Sequence, residues 1–243
     1  DPTAFDDASG NSYAGIIDTT SLSFSTDFDY TNWEQIGDDI DGEAAGDYSG
    51  FSVSLSSDGS VVAIGATWND VNREDSREGL SIIDRLLNPL VKEGHVRIYK
   101  NNNGNWQQVG DDIDGEAAED ESGYSVSLSA DGSVVAIGAR YNDANGDNSG
   151  HVRIYKKTDN DEWQQVGDDI DGEAAEDESG RSVSLSADGS IVAIDARNND
   201  ANGDNSGHVR IYKNNNGTWE KVGDDIDGEA EYDNSGSSVS LSS

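Results

Sequence analysis

Residues 122–139 read SGYSVSLSADGSVVAIGA. In the first half Tyr124, Val126 and Leu128 alternate with Ser125, Ser127 and Ser129. Apolar side chains therefore share one face and serines the other, a period of two that predicts a strand. Asp131-Gly132 is a tight-hairpin signal. Val134 to Ala139 is apolar at successive positions. It predicts a second strand, buried on both faces, whose small residues allow close sheet packing.

The same text recurs as SGFSVSLSSDGSVVAIGA at 49–66, as SGRSVSLSADGSIVAIDA at 179–196, and in part as SGSSVSLSS at 235–243. GHVRIYK follows at 94–100, 150–156 and 207–213, a third strand in which Val152 and Ile154 point inward and Arg153 and Tyr155 outward. Trp163 to Gly167 predicts a short fourth strand whose Trp caps the edge of the repeat's core. Trp33, Trp106, Trp163 and Trp219 open equivalent stretches at intervals of 73, 57 and 56 residues.

Four antiparallel strands repeated at a period of about 57 residues predict an all-β fold of β-propeller-like blades. A linear solenoid is the competing architecture, but its coils are usually shorter. The expected organisation is an N-terminal segment, 1–32, with an echo of the first hairpin in SGNSYAGIIDTTSLSFS. Repeats follow over 33–243, divided as 33–105, 106–162, 163–218 and a partial 219–243. Three copies and part of a fourth are few for a closed ring, and no Met stands at position 1, so the chain is expected to be part of a larger repeat protein; a ring closed with a second copy and a small or irregular propeller are the alternatives.

The stretch SGYSVSLSADGSVVAIGARYNDANGDNSGHVRIYK resembles the FG-GAP repeats of integrin-α-like β-propellers. Ser-Gly followed by Phe51, Tyr124 or Arg181 stands for the Phe-Gly signature. Gly65-Ala66 and Gly138-Ala139 stand for the Gly-Ala-Pro signature without its proline, and Asp195-Ala196 departs further. The resemblance covers residues 33–243. It implies a propeller fold, Asp-rich loops able to take calcium, and a place outside the cell or on its surface.

The chain carries fifty Asp and Glu against fifteen Lys and Arg, a formal net charge of −35. That field repels nucleic acid and anionic membrane surfaces and attracts hard cations. Cysteine is absent, which excludes disulfides and thiolate zinc sites. No apolar run approaches the roughly 18 residues of a membrane span.

Asp143, Asn145 and Asp147 alternate on a loop bent at Gly146, and Asp200, Asn202 and Asp204 repeat them. Alternating short oxygen side chains converge as in calcium loops, so Ca²⁺ is the expected cofactor. The competing reading is a solvated turn, which favours the same residues. A second acidic motif joins the repeats: Asp39, Asp41 and Glu43; Asp112, Asp114 and Glu116; Asp169, Asp171 and Glu173. It reads either as a further cation site or as a charged connection that keeps sheet edges soluble. His95, His151 and His208 recur in each of the three full copies, which points to a structural role.

Residues 73–93 interrupt the first copy. Ile83, Leu86, Leu87 and Leu90 lie at helical spacing, with Ser81 as cap and Pro89 as terminator. With Leu80, Ile82 and Val91 they form an apolar face that packs on the chain itself or docks a partner.

The functional expectation is a non-enzymatic secreted or cell-surface scaffold, calcium-assisted, working by assembly or adhesion through a protein partner or self-assembly. The alternatives are a lectin-like propeller that binds glycans and, third, a propeller enzyme.

Overall fold

The computed structural model describes residues 34–70 and 92–242. The seven apolar positions of the insert, Leu80 to Val91, lie outside the described residues, as does the expected segment 1–32. The described residues from 37 onward form one compact unit. Its described residues are all-β, and none of their helices is long and apolar enough to cross a membrane.

Three antiparallel sheets follow one another along the chain. The first holds β1 (Ser49–Leu55), β2 (Val61–Ala66), β3 (His95–Asn102), β4 (Asn105–Gln108) and β5 (Ile113–Asp114). The second holds β6 (Ser125–Leu128), β7 (Val134–Ala139), β8 (His151–Lys157), β9 (Trp163–Gln165) and β10 (Ile170–Asp171). The third holds β11 (Val183–Leu185), β12 (Ile191–Ala196), β13 (His208–Asn215), β14 (Thr218–Lys221) and β15 (Ile226–Asp227). The first four strands of each sheet lie in chain order, and the two-residue fifth pairs with the start of the third. The outer strand is thus broken in two. Each Trp named above, from Trp106 on, lies in the outer strand of a sheet.

The turn after each first strand is wider than Asp-Gly alone predicts. Ser129 accepts from Val134 N–H through Oγ and donates from that hydroxyl to Asp131 Oδ1, which also accepts from Ser133 N–H. In the third copy the hydrogen bonds of Ser190 and Ser186 lower the Asp188 pKa to about 2.

Continuous apolar strands divide their residues between two cores. Val135, Ile137 and Tyr155 pack toward the first sheet with Val61, Ala63, Val96 and Ile98, whereas Val134, Ala136, Val152 and Ile154 pack toward the third with Val183, Leu185 and Val192. A middle blade has no solvent face. This corrects the expectation for the third strand: Arg153 is 6% exposed and Tyr155 9%.

The serine faces are half-buried and turned to the next blade. The first strand of each sheet is an edge strand, and its unpaired N–H groups need acceptors. Ser54 Oγ accepts from Leu128 N–H at 2.9 Å, and Ser127 Oγ from Leu185 N–H at 2.9 Å. Ser52 and Ser125 donate to Gly123 O and Gly180 O at 2.6 and 2.7 Å. Ser182 and Ser184 accept from Val239 and Leu241 N–H in the fourth copy. At the outer rim, Trp163 and Trp219 Nε1 donate to Val109 O and Val166 O of the preceding blade, each at 2.8 Å.

Backbones approach closely where Gly65 and Gly138 face the next blade. A Cβ on Gly138 would stand 1.9 Å from Gly180 O. The third copy has Asp195 there, fully buried. Its Oδ1 accepts from Ser182 N–H at 2.6 Å, and Oδ2 has no hydrogen-bond partner. Burial raises its pKa from 3.8 to about 7, against the pull of Ser182 N–H, Arg181 and Arg197.

The insert leaves the strand register untouched. Ala66 pairs with His95 as Ala139 pairs with His151 and Ala196 with His208.

Two predictions follow from these joints. Ser127→Ala leaves Leu185 N–H without an acceptor and lowers stability by about 1–2 kcal/mol, read from urea unfolding midpoints. Asp195 stays protonated in the folded chain to about pH 7 but ionises near 3.8 when unfolded. Its contribution is full below pH 3.8 and is lost as pH rises to about 7. Asp195→Asn abolishes that loss. The variant is expected to match the native chain near pH 4 and to exceed it by about 2–4 kcal/mol at pH 8, measured as a difference of unfolding curves.

Candidate metal centre

Each third strand begins with His because that position follows a tight Gly turn, with the imidazole directed away from the apolar Val and Ile of the same strand. His95, His151 and His208 are each no more than 1% exposed. Two carboxylates face each ring from different loops. One is the Glu of the connector that enters the blade. The other is the Asp at the break in the blade's own outer strand. The resulting groups are Glu43, His95 and Asp112; Glu116, His151 and Asp169; and Glu173, His208 and Asp225. In each, one ligand atom per residue lies within 4.8 Å of the others.

His95 Nδ1 stands 3.9 Å from Glu43 and 3.6 Å from Asp112. His151 Nδ1 is 3.8 Å from both Glu116 and Asp169. In the third group Asp227 is also 3.9 Å from His208 Nδ1. Both ring nitrogens of His151 and His208 lack a hydrogen-bond partner. Burial lowers the pKa of all three imidazoles and outweighs the nearby carboxylates, taking His151 to about 4. The lowered pKa values favour the neutral ring in all three, and His151 and His208 each offer an unengaged nitrogen, as a metal ligand must.

The carboxylates are held from behind. Gln108 Nε2 donates to Asp112 Oδ1 and Gln165 Nε2 to Asp169 Oδ1, each at 2.6 Å, leaving Oδ2 toward the ring. In the third copy Lys221 Nζ takes this role, 2.5 Å from Asp225 Oδ1. Glu43, Glu116 and Glu173 turn Oε1 toward Arg97, Arg153 and Arg210 at 3.8, 3.7 and 3.6 Å. Those buried guanidiniums anchor the connectors, donating to Asp41 O, Asp114 O and Asp171 O at 2.6–2.8 Å. Second partners of this kind orient ligands in metal sites. Asp169 also borders a cleft of about 500 Å³ with Asp168, Asp171, Tyr212 and Trp219.

The structure redistributes the acidic motif. Asp112 and Glu116, four residues apart, serve different clusters, and Asp114 and Asp171 contribute carbonyls that accept from Arg. The histidines read as structural stand at the centre of the clusters. The signal that reveals them is the period itself: the ligands come from one His and from two different copies of the acidic motif.

The two Asp-rich loops lie elsewhere. Asp143, Asn145, Asp147, Asp200, Asn202 and Asp204 are exposed. Asn145 Nδ2 donates to Gly172 O and Glu173 O, and Asn202 Nδ2 to Gly228 O, so each loop clasps the next connector. Asp143 and Asp200 Oδ1 accept from Asn148 and Asn205 N–H. Asp204 Oδ2 accepts from the Tyr232 hydroxyl at 3.3 Å.

Residues 113–155 match the family model of the FG-GAP repeat. No curated protein matches the chain. Among solved structures, a putative 6-phosphogluconolactonase from Bacteroides uniformis is 15% identical with a TM-score of 0.47, covering 74% of this chain and 40% of its own. Saccharomyces cerevisiae Sqt1 is 12% identical with a TM-score of 0.42, over 75% and 36%. The Pseudomonas aeruginosa periplasmic gluconolactonase PpgL is 14% identical with a TM-score of 0.32, over 72% and 56%. The chain thus spans between about a third and just over half of their lengths. The expectation that the chain is not an enzyme is corrected by this comparison. Two of these structures carry the names of lactonases, and one architecture hosts enzymes and non-enzymes alike.

Arg153→Lys tests the framework behind the middle cluster. Lysine keeps the charge but cannot reach both Asp114 O and Glu116 in the fixed fork of a guanidinium. The substitution is expected to cost about 1–3 kcal/mol, whereas the exposed Lys156→Arg changes the melting temperature little.

Proposed function

We propose that this chain of FG-GAP repeats is a cation-assisted scaffold of the cell surface or extracellular space, whose work is assembly or adhesion through contact with a protein partner or another copy. The observation that carries the reading is the recurrence of one Glu–His–Asp cluster at the same joint of three successive blades. A cation there ties the entering connector to the blade's outer edge, stiffening the stack without adding a contact. The exposed loops Asp143–Asp147 and Asp200–Asp204 are the proposed Ca²⁺ positions. Extracellular modules bind this ion at about 10⁻⁴–10⁻³ M. The insert's apolar residues, Leu80 to Val91, are the proposed partner contact.

Thermal melting with chelator, then with added Ca²⁺, tests the reading at constant ionic strength, because salt alone screens this much negative charge. A ligand at 100 times its dissociation constant stabilises by about 2.7 kcal/mol. A rise of several degrees, with self-association in sedimentation velocity, is expected. Indifference of both to any divalent ion rejects it.

Glycan binding is the second reading. It is favoured by the cleft in which Tyr212 and Trp219 stand beside Asp169 and Asp171. A glycan array decides it, with Trp219→Ala losing any signal that the native chain gives.

A further inference from the structure

The proposed scaffold leaves open which ions bind where, and the clusters differ in donor chemistry from the acidic loops. A hard cation such as Ca²⁺ takes oxygen ligands and gains little from an imidazole. An imidazole nitrogen beside carboxylates suits the borderline divalent ions, Zn²⁺ among them. His151 and His208 are 1% and 0% exposed, and their ring nitrogens have no hydrogen-bond partner. His151 Nδ1 faces Glu116 and Asp169, and His208 Nδ1 faces Asp227, with Glu173 and Asp225 within 4.8 Å of the ring. The 3.6–3.9 Å gaps between Nδ1 and the carboxylate oxygens slightly exceed the about 3.4 Å separating two ligands at about 2.1 Å on a tetrahedral ion. All three ligand atoms of each cluster lie within 4.8 Å of one another, so an inward shift of side chains already held from behind brings them onto one ion.

We propose that the Glu–His–Asp clusters are borderline transition-metal sites of the Zn²⁺ class, one per blade, separate from the Ca²⁺ loops. Their ligands are one imidazole nitrogen and two carboxylate oxygens, with further positions left to water or a partner's side chain. The inference rests on the cation-assisted reading but is more specific. The copies are also unequal. Asp112 and Asp169 are each held by a neutral glutamine amide, whereas Asp225 is held by the Lys221 ammonium. The ammonium competes with a metal for that carboxylate, so the third site is the weak one.

Titration of the full chain with Co²⁺ tests this, because Co²⁺ bound to nitrogen and oxygen at low coordination number shows visible bands that the hydrated ion lacks. Two equivalents are expected to bind first, with the third about tenfold weaker. Zn²⁺ displaces the bands and millimolar Ca²⁺ leaves them. His151→Ala removes one tight equivalent, and Lys221→Gln converts the weak site to a tight one, a gain that needs no loss of fold. Circular dichroism checks both variants. Absence of bands, or bands unchanged by both substitutions, overturns the inference. If Ca²⁺ still stabilises the chain in that case, the scaffold reading survives alone. If no divalent ion binds, both fall.

Discussion

The joint between blades depends on one constraint: the edge strand that opens each sheet must find acceptors for its N–H groups without a neighbouring strand. A second sheet cannot supply them by ordinary pairing, because it meets the first face to face. Serine solves this, since its hydroxyl stands off the face of one sheet and reaches the backbone edge of the next. Ser54 and Ser127 do so for Leu128 and Leu185. Once that line is fixed, the apolar strands behind it are sandwiched, and the Trp at the rim fixes the opposite end of the same interface.

A sandwiched sheet has two inner faces, and this explains where polar residues went. The His, Arg and Tyr of the third strand point at the preceding blade, where the connector crosses. Arg satisfies the connector's carbonyls and His meets its Glu. Polar side chains in that position are therefore buried by topology rather than by their own preference, which is why the imidazoles are neutral and why their nitrogens face carboxylates without touching them.

Much of this was legible in sequence. The alternation in Tyr124 to Ser129 and the apolar run from Val134 to Ala139 gave the strands and their order, and the recurrence of the text gave the blades. The serine face was legible only as polar, because periodicity tells two faces apart and not what covers each. Arg153 and Tyr155 were misplaced for the same reason. The clusters were harder still. Glu116 and Asp112 are neighbours in sequence, yet the strand break between them sends each to a different histidine. Asp195 is visible in sequence as a departure from Gly138, but its burial is set by the blade that faces it.

The unchanged pairing of Ala66 with His95 has a consequence for how such chains diversify. The turn between second and third strands accepts a long foreign sequence while the ladder on either side stays in register. The equivalent turns, after Asn142 and Asn199, begin with the same Ala-to-His pairing and the same buried Asn, whose amide is tied to Asp120 or Asp177. These turns are grafting ports: a peptide epitope, a small domain or a recombined segment placed there enters a frame already closed behind it, so new surface can be acquired one blade at a time.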